Sequence, residues 1–197
     1  MSAFVCLDSS VLVKLLTWED GSDAAAELME NIATNELSIV LPSFAWAEIG
    51  SVLRQKALKK EITAEEAEES WRIFRRLKNI TYVDDEKVIN TAWCISTEEK
   101  LSTLYDASYL AVAEITAKET KSICEFWTAD KRLVNSLSGK KQFVRLLGHA
   151  NPGCFYPALM PYNCSYCMTI CNCGNIPLSK NGENEKGFEY SVKCSSI

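Results

Sequence analysis

The chain opens on an unbroken apolar run, FVCL (Phe4 to Leu7), that stops at Asp8-Ser9-Ser10. A short run without alternation suits a strand buried on both faces. Val11 to Leu16 then reads as the start of a helix, and Asp23 to Ala33 as a second, with Leu28 and Ile32 one turn apart. Leu37 to Leu41 is a strand closed by Pro42. Ser43 is placed to cap a helix running to about Lys60, with Ile49, Val52 and Leu53 on its apolar face. Thr63-Ala64-Glu65-Glu66 fits a capping box for a helix carrying Trp71, Phe74 and Leu77. Ile80 to Val83 reads as a strand or an extended connector. Asp85 to about Lys100 and Tyr105 to Lys118 read as helices, Glu125 to Thr128 as a strand, Lys131 to Leu137 as a short helix, and Gln142 to Leu146 as a last strand. Strands separated by helices imply crossovers, hence an α/β fold whose parallel sheet is covered on both faces.

The helical periodicity ends near Asn151-Pro152-Gly153. Beyond it Pro, Asn, Gly and Cys dominate without a period, so the expected division is a domain over residues 1–149 and an irregular cysteine-rich extension over 150–197. Six of the nine cysteines lie in that extension, and Cys6, Cys94 and Cys124 stand singly in apolar surroundings and read as small buried thiols. Cys164-x-x-Cys167 and Cys171-x-Cys173 leave three readings open, a soft-metal site, a disordered tail, or a stretch foreign to the domain before it. The N-terminus MSAFVCLD lacks a basic segment before its apolar run, which argues against a secretion signal. No apolar run is long enough to span a bilayer, and a cytoplasmic location is the default expectation. A net charge of -5 does not advertise nucleic-acid binding, although a local basic patch or a bound cation can do what global charge does not.

The candidate chemistry lies in four acids. Asp8 and Asp130 fall at or just past the carboxyl ends of two strands, where open α/β sheets place their ligand sites. Glu48 sits among Ala45, Trp46, Ala47 and Ile49, and Asp106 among Tyr105, Ala107, Tyr109 and Leu110. A carboxylate buried in so apolar a segment needs a partner. Four of them around one crevice repel one another unless a hard divalent cation, chiefly Mg²⁺ or Mn²⁺, is shared. Each acid also has a plainer reading. Asp8 and Asp130 fit as helix caps, and Asp106 as an acid favoured by a helix dipole.

The order LDSSVLVKL, PSFAWAEIGSVLR, YDASYLAVAE and WTADKRLVN resembles the PIN-domain nucleases, most closely the VapC-type toxin branch, over about residues 3 to 148. That resemblance implies a three-layer α/β/α arrangement with four or five parallel strands. It implies that Asp8, Glu48, Asp106 and Asp130 are both the metal ligands and the catalytic residues, with Thr128 and Ser10 (and Ser9 beside it) supporting them. It further implies an RNA substrate, a homodimer and a small antitoxin partner. The one histidine, His149, stands outside all four motifs, so the expected nucleophile is a water activated by the cation rather than by an imidazole. Lys131, Arg132 and Arg54 are candidates for phosphates flanking the cleaved one, with Lys56, Lys59 and Lys60 also downstream of Glu48. A solvated helix face is the alternative for these cations, and for the acidic run Glu65, Glu66, Glu68 and Glu69. The helix bearing Trp71 and Phe74 fits either an interface or ordinary core. The alternative function is a non-catalytic RNA-binding or regulatory module that keeps the same shape. A dehalogenase- or receiver-type phosphoryl-transfer enzyme fits poorly, because Asp8 is followed by Ser-Ser-Val with no second acid two residues on.

Overall fold

Five parallel strands carry the fold, in the order β3-β2-β1-β4-β5. The computed structural model describes residues 4–148; His149 and the segment 150–197, with its expected domain boundary and its cysteine pairs, lie outside the described residues. β1 (Phe4–Leu7) is central, paired in register with β2 (Ser38–Pro42) on one side and β4 (Cys124–Thr128) on the other. β1 and the middle of β2 are unbroken apolar runs, whereas β4 carries the buried Glu125, paired with Arg145. Val5, Cys6, Leu7, Ile39, Val40, Leu41, Cys124 and Phe126 are buried. Cys94, expected to be buried like the other two thiols, is exposed. β3 (Ile80–Val83) and β5 (Val144–Leu146) form the edges and are only partly covered. The chain builds outward from β1 to β3, then returns to add β4 and β5 on the other side. That reversal puts a switch point between β1 and β4, and the crevice of such a sheet lies outside the carboxyl ends of the strands there.

Helices complete the expected three-layer α/β/α arrangement. α1 (Ser9–Leu16) packs with α2 (Ser22–Thr34), α3 (Ala45–Leu58) and α4 (Ala64–Arg76). α5 (Glu86–Glu98) lies along α6 (Leu104–Thr120), which in turn packs on β1, β2 and β4. α6 starts on the exposed Leu104 and Tyr105 and is buried nearly all round in its middle, with Ala107 and Tyr109 to Ala113 in the core. α7 (Lys131–Ser136) is a short helix after β4. Phe74 belongs to the core, whereas Trp71 is partly buried and its ring comes 3.2 Å from where a Cβ on Gly50 would stand. No described helix is long and apolar enough to cross a membrane.

The capping box at Thr63 is present: its hydroxyl accepts from Glu66 N at 3.1 Å, and Glu66 Oε2 accepts from Thr63 N at 2.7 Å. Thr63→Ala should cost about 1 kcal/mol, a fall of roughly 2–4 °C in a thermal melt of a chain this size. Ser43 does not play the capping part expected of it. Its N–H is drawn back to Val83 O at 3.1 Å, extending the β2–β3 pairing, and the helix begins one residue later on the carbonyl of Phe44. α1 starts earlier than its apolar pattern suggests, because Ser9 and Ser10 turn directly into the helix from the end of β1.

Candidate active site

Asp8 is the first residue after β1 and only 6% exposed. It occupies the position before α1, yet its carboxylate makes no capping bond, so the cap reading fails for it. Its Oδ2 accepts instead from Ser10 Oγ and from Thr128 Oγ1, both at 2.6 Å. Each hydroxyl has one proton and gives it to Asp8. Each then accepts a backbone N–H from the turn after β4, Ala129 N to Ser10 and Asp130 N to Thr128, both at 3.0 Å. The ends of β1 and β4 are thus tied together through one carboxylate oxygen. Charge-assisted bonds of this kind are the strong ones.

Glu48 lies in the first turn of α3 and is half-buried. Burial, with the charges of Asp8 and Asp106, raises its proton affinity, while hydrogen bonds from Tyr109 and Ser9 act the other way. Asp106 lies in the first turn of α6, where the N-terminal position belongs to Thr103. Burial, then Asp8, then Asp130 raise its carboxyl above the usual range, against a hydrogen bond from Thr103 and the charge of Arg132. Asp130 differs. It does cap α7, accepting from Arg132 N at 2.7 Å and Leu133 N at 3.4 Å. The Arg132 guanidinium also closes on it, at 3.3 and 3.1 Å, and holds its carboxyl below the usual range.

The four sequence-predicted acids therefore come from the end of β1, from the starts of α3 and α6, and from the turn after β4, and they feel one another's charge. Ser10 and Thr128 join them directly, and Ser9 Oγ lies 3.4 Å from Asp8 Oδ1. The candidate cations divide. Arg132 reaches the cluster through Asp130, and Lys131 beside it is exposed. Arg54 is not brought to the acids: six residues past Glu48, it points roughly 240° around the helix from it and lines the open groove between α3 and α4 with Trp46, Gly50 and Trp71. Lys56 is taken up by Glu19 and Glu61, and Lys59 and Lys60 are exposed at the end of α3. Tyr109, whose apolar surroundings in the sequence mark it only as core, joins the site. It is fully buried, yet its hydroxyl donates to Glu48 Oε2 at 2.9 Å. The available signal was its spacing: three residues past Asp106, it shares that residue's face of α6.

The donor set suits a hard divalent cation. It is all oxygen and net negative, and two of its acids are pushed toward protonation partly by their like-charged neighbours. Among the described residues no three acids already stand in ligand geometry, and Asp130 is turned onto Arg132.

A family model described as the PIN domain matches residues 5–135. No curated protein sequence matches the chain. Among solved structures, VapBC2 from Rickettsia felis, bound to a promoter DNA fragment, is similar with 16% identity and a TM-score of 0.49, over 73% of this chain and 98% of that one. A toxin-antitoxin complex from Klebsiella pneumoniae is similar with 18% identity and a TM-score of 0.47, over 73% of this chain and 96% of that one.

Proposed function

The chain belongs to the PIN-domain family, and from that premise we propose that it is a divalent-metal-dependent endoribonuclease, the toxin of a toxin-antitoxin pair, working in the cytoplasm. The observation that carries the nuclease reading is the gathering of Asp8, Glu48 and Asp106 at the switch point of the sheet, where burial and mutual repulsion raise the proton affinity of the last two. These three with Asp130 would hold Mg²⁺ or Mn²⁺. Such an ion, when bound, supplies water of lowered pKa and offsets the charge that grows on the phosphate. The chain's own residues supply the rest. Ser10 and Thr128 lock the Asp8 carboxylate, Asp106 is delivered by a rigid buried helix, and Arg132 and Lys131 stand beside the acids, where phosphates flanking the scissile one would lie. The toxin assignment, the antitoxin partner, the homodimer and RNA as substrate rest on the motif order from LDSSVLVKL to WTADKRLVN.

The test is incubation of the purified chain with single-stranded RNA in Mg²⁺, in Mn²⁺ and in chelator. Cleavage is expected with either ion and loss of at least about a hundredfold in rate with chelator. Because direct attack by water needs no 2′-hydroxyl, the products should carry no 2′,3′-cyclic phosphate. Cleavage indifferent to chelator ends the metal reading. Binding of RNA without cleavage under any ion favours a non-catalytic PIN-fold RNA-binding or regulatory module. One feature supports that second reading: Asp130 is closed by Arg132 and by its own capping bonds.

A further inference from the structure

A tyrosine in the middle of a buried apolar helix needs an explanation that phenylalanine would not. Burying a phenol costs free energy unless its hydroxyl finds a partner. Tyr109 is 0% exposed, and its neighbours Ala107, Leu110, Ala111, Val112 and Ala113 are apolar and buried. Its ring is fixed on two sides, stacked on Phe126 at 6.2 Å and met edge-on by Phe44 at 6.1 Å. Among the described residues the hydroxyl finds a side-chain partner. It reaches Glu48 Oε2, 61 positions away in sequence, at 2.9 Å.

Resting on the nuclease reading, we propose that Tyr109 is a positioning residue: its fixed phenol holds the Glu48 carboxylate in the acid cluster and keeps it there for the cation. Glu48 has three side-chain torsions and stands next to Asp8 and Asp106, whose charges push it away. The hydrogen bonds to its carboxylate come from outside its own helix, from Tyr109 on α6 and from Ser9 on α1. Tyr109 and Asp106 lie three residues apart on one face of α6. The same rigid element therefore presents one acid directly and orients another through a hydrogen bond. Outer partners of this kind set the orientation of metal-binding carboxylates.

The test is Tyr109→Phe, which removes one oxygen and leaves the ring packing intact. Mn²⁺ affinity by calorimetry, RNA cleavage, and the metal-free melting temperature are measured on the full chain. Mn²⁺ should bind about tenfold more weakly. The kcat at fixed Mn²⁺ should fall by a similar factor, KM for RNA should change less than about twofold, and saturating Mn²⁺ should restore most of the rate. A cycle with Glu48→Gln separates this from a packing effect. If Tyr109 acts through Glu48, the double variant binds Mn²⁺ no more weakly than Glu48→Gln alone. Additive losses, or a Tyr109→Phe chain that binds and cleaves like the parent, overturn the positioning role and leave the nuclease reading standing. A parent chain that neither binds Mn²⁺ nor cleaves RNA overturns both.

Discussion

Replacing Asp106 by Asn should give a folded chain that cleaves RNA at least about two orders of magnitude more slowly than the parent. The substitution keeps size and shape and removes one charge. If Asp106 served only the start of α6, Asn would do nearly as well, and activity would be unchanged. On the proposed reading the lost charge weakens the hold on the cation. The metal-free melting temperature discriminates further, and its sign follows from the raised carboxyl. A folded-state pKa above the unfolded value contributes stability that is fully present below the unfolded pKa and is lost as pH rises through the folded one. Asp106 is held up by burial, Asp8 and Asp130, so ionised Asp106 is a burden on the metal-free fold at neutral pH. Asp106→Asn should melt with the parent in acid, where Asp106 is protonated, and at or above the parent at pH 7. Saturating Mg²⁺ should stabilise the parent more than the variant. A variant that cleaves as fast as the parent at saturating Mg²⁺ removes Asp106 from the site.

The acids were legible because each offends its surroundings. Glu48 interrupts Ala45-Trp46-Ala47 and Ile49, Asp106 precedes the apolar run Ala107 to Ala113, broken only by Ser108, and Asp8 stops the most apolar strand. Period and punctuation gave the elements for the same reason: FVCL is too short and too uniformly apolar for a helix, and turn residues bound it. Ser43 misled because a good capping residue was claimed by β-pairing, and a ladder bond to Val83 depends on a strand far along the chain. The closure of Arg132 on Asp130 depends on rotamers, which no spacing encodes. Arg54 is a different case. Counting about 100° per residue from Glu48 already turns it away from the acids, so that error lay in reading proximity along a helix as proximity in space. For Tyr109 the pattern gave the face but not the partner, since Glu48 enters from another helix.

Asp8→Ala should slow cleavage at least as much as Asp106→Asn does, yet with the opposite effect on stability. Asp8 Oδ2 is the acceptor for both Ser10 Oγ and Thr128 Oγ1. Neither hydroxyl can turn to another acceptor without giving up the backbone N–H that it holds in the turn after β4. Thr128 is 0% exposed, so its orphaned proton cannot turn to water. A hydrogen bond to a charged group contributes about 1.5–3 kcal/mol. Relief of repulsion with Glu48 and Asp106 returns part of what the two bonds contribute. A net loss of about 2 kcal/mol follows, or roughly 4–8 °C in a metal-free melt at pH 7. Asp8→Asn keeps an acceptor oxygen for the two hydroxyls and should recover most of the stability while cleaving no faster than Asp8→Ala. The pair of variants thus separates the two jobs of this carboxylate: the amide restores the tie between β1 and β4, and only the charge restores the site. If Asp8→Ala melts with the parent, the two short bonds do not hold the strand ends together in solution, and the turn bearing Ala129 and Asp130 is fixed by something else.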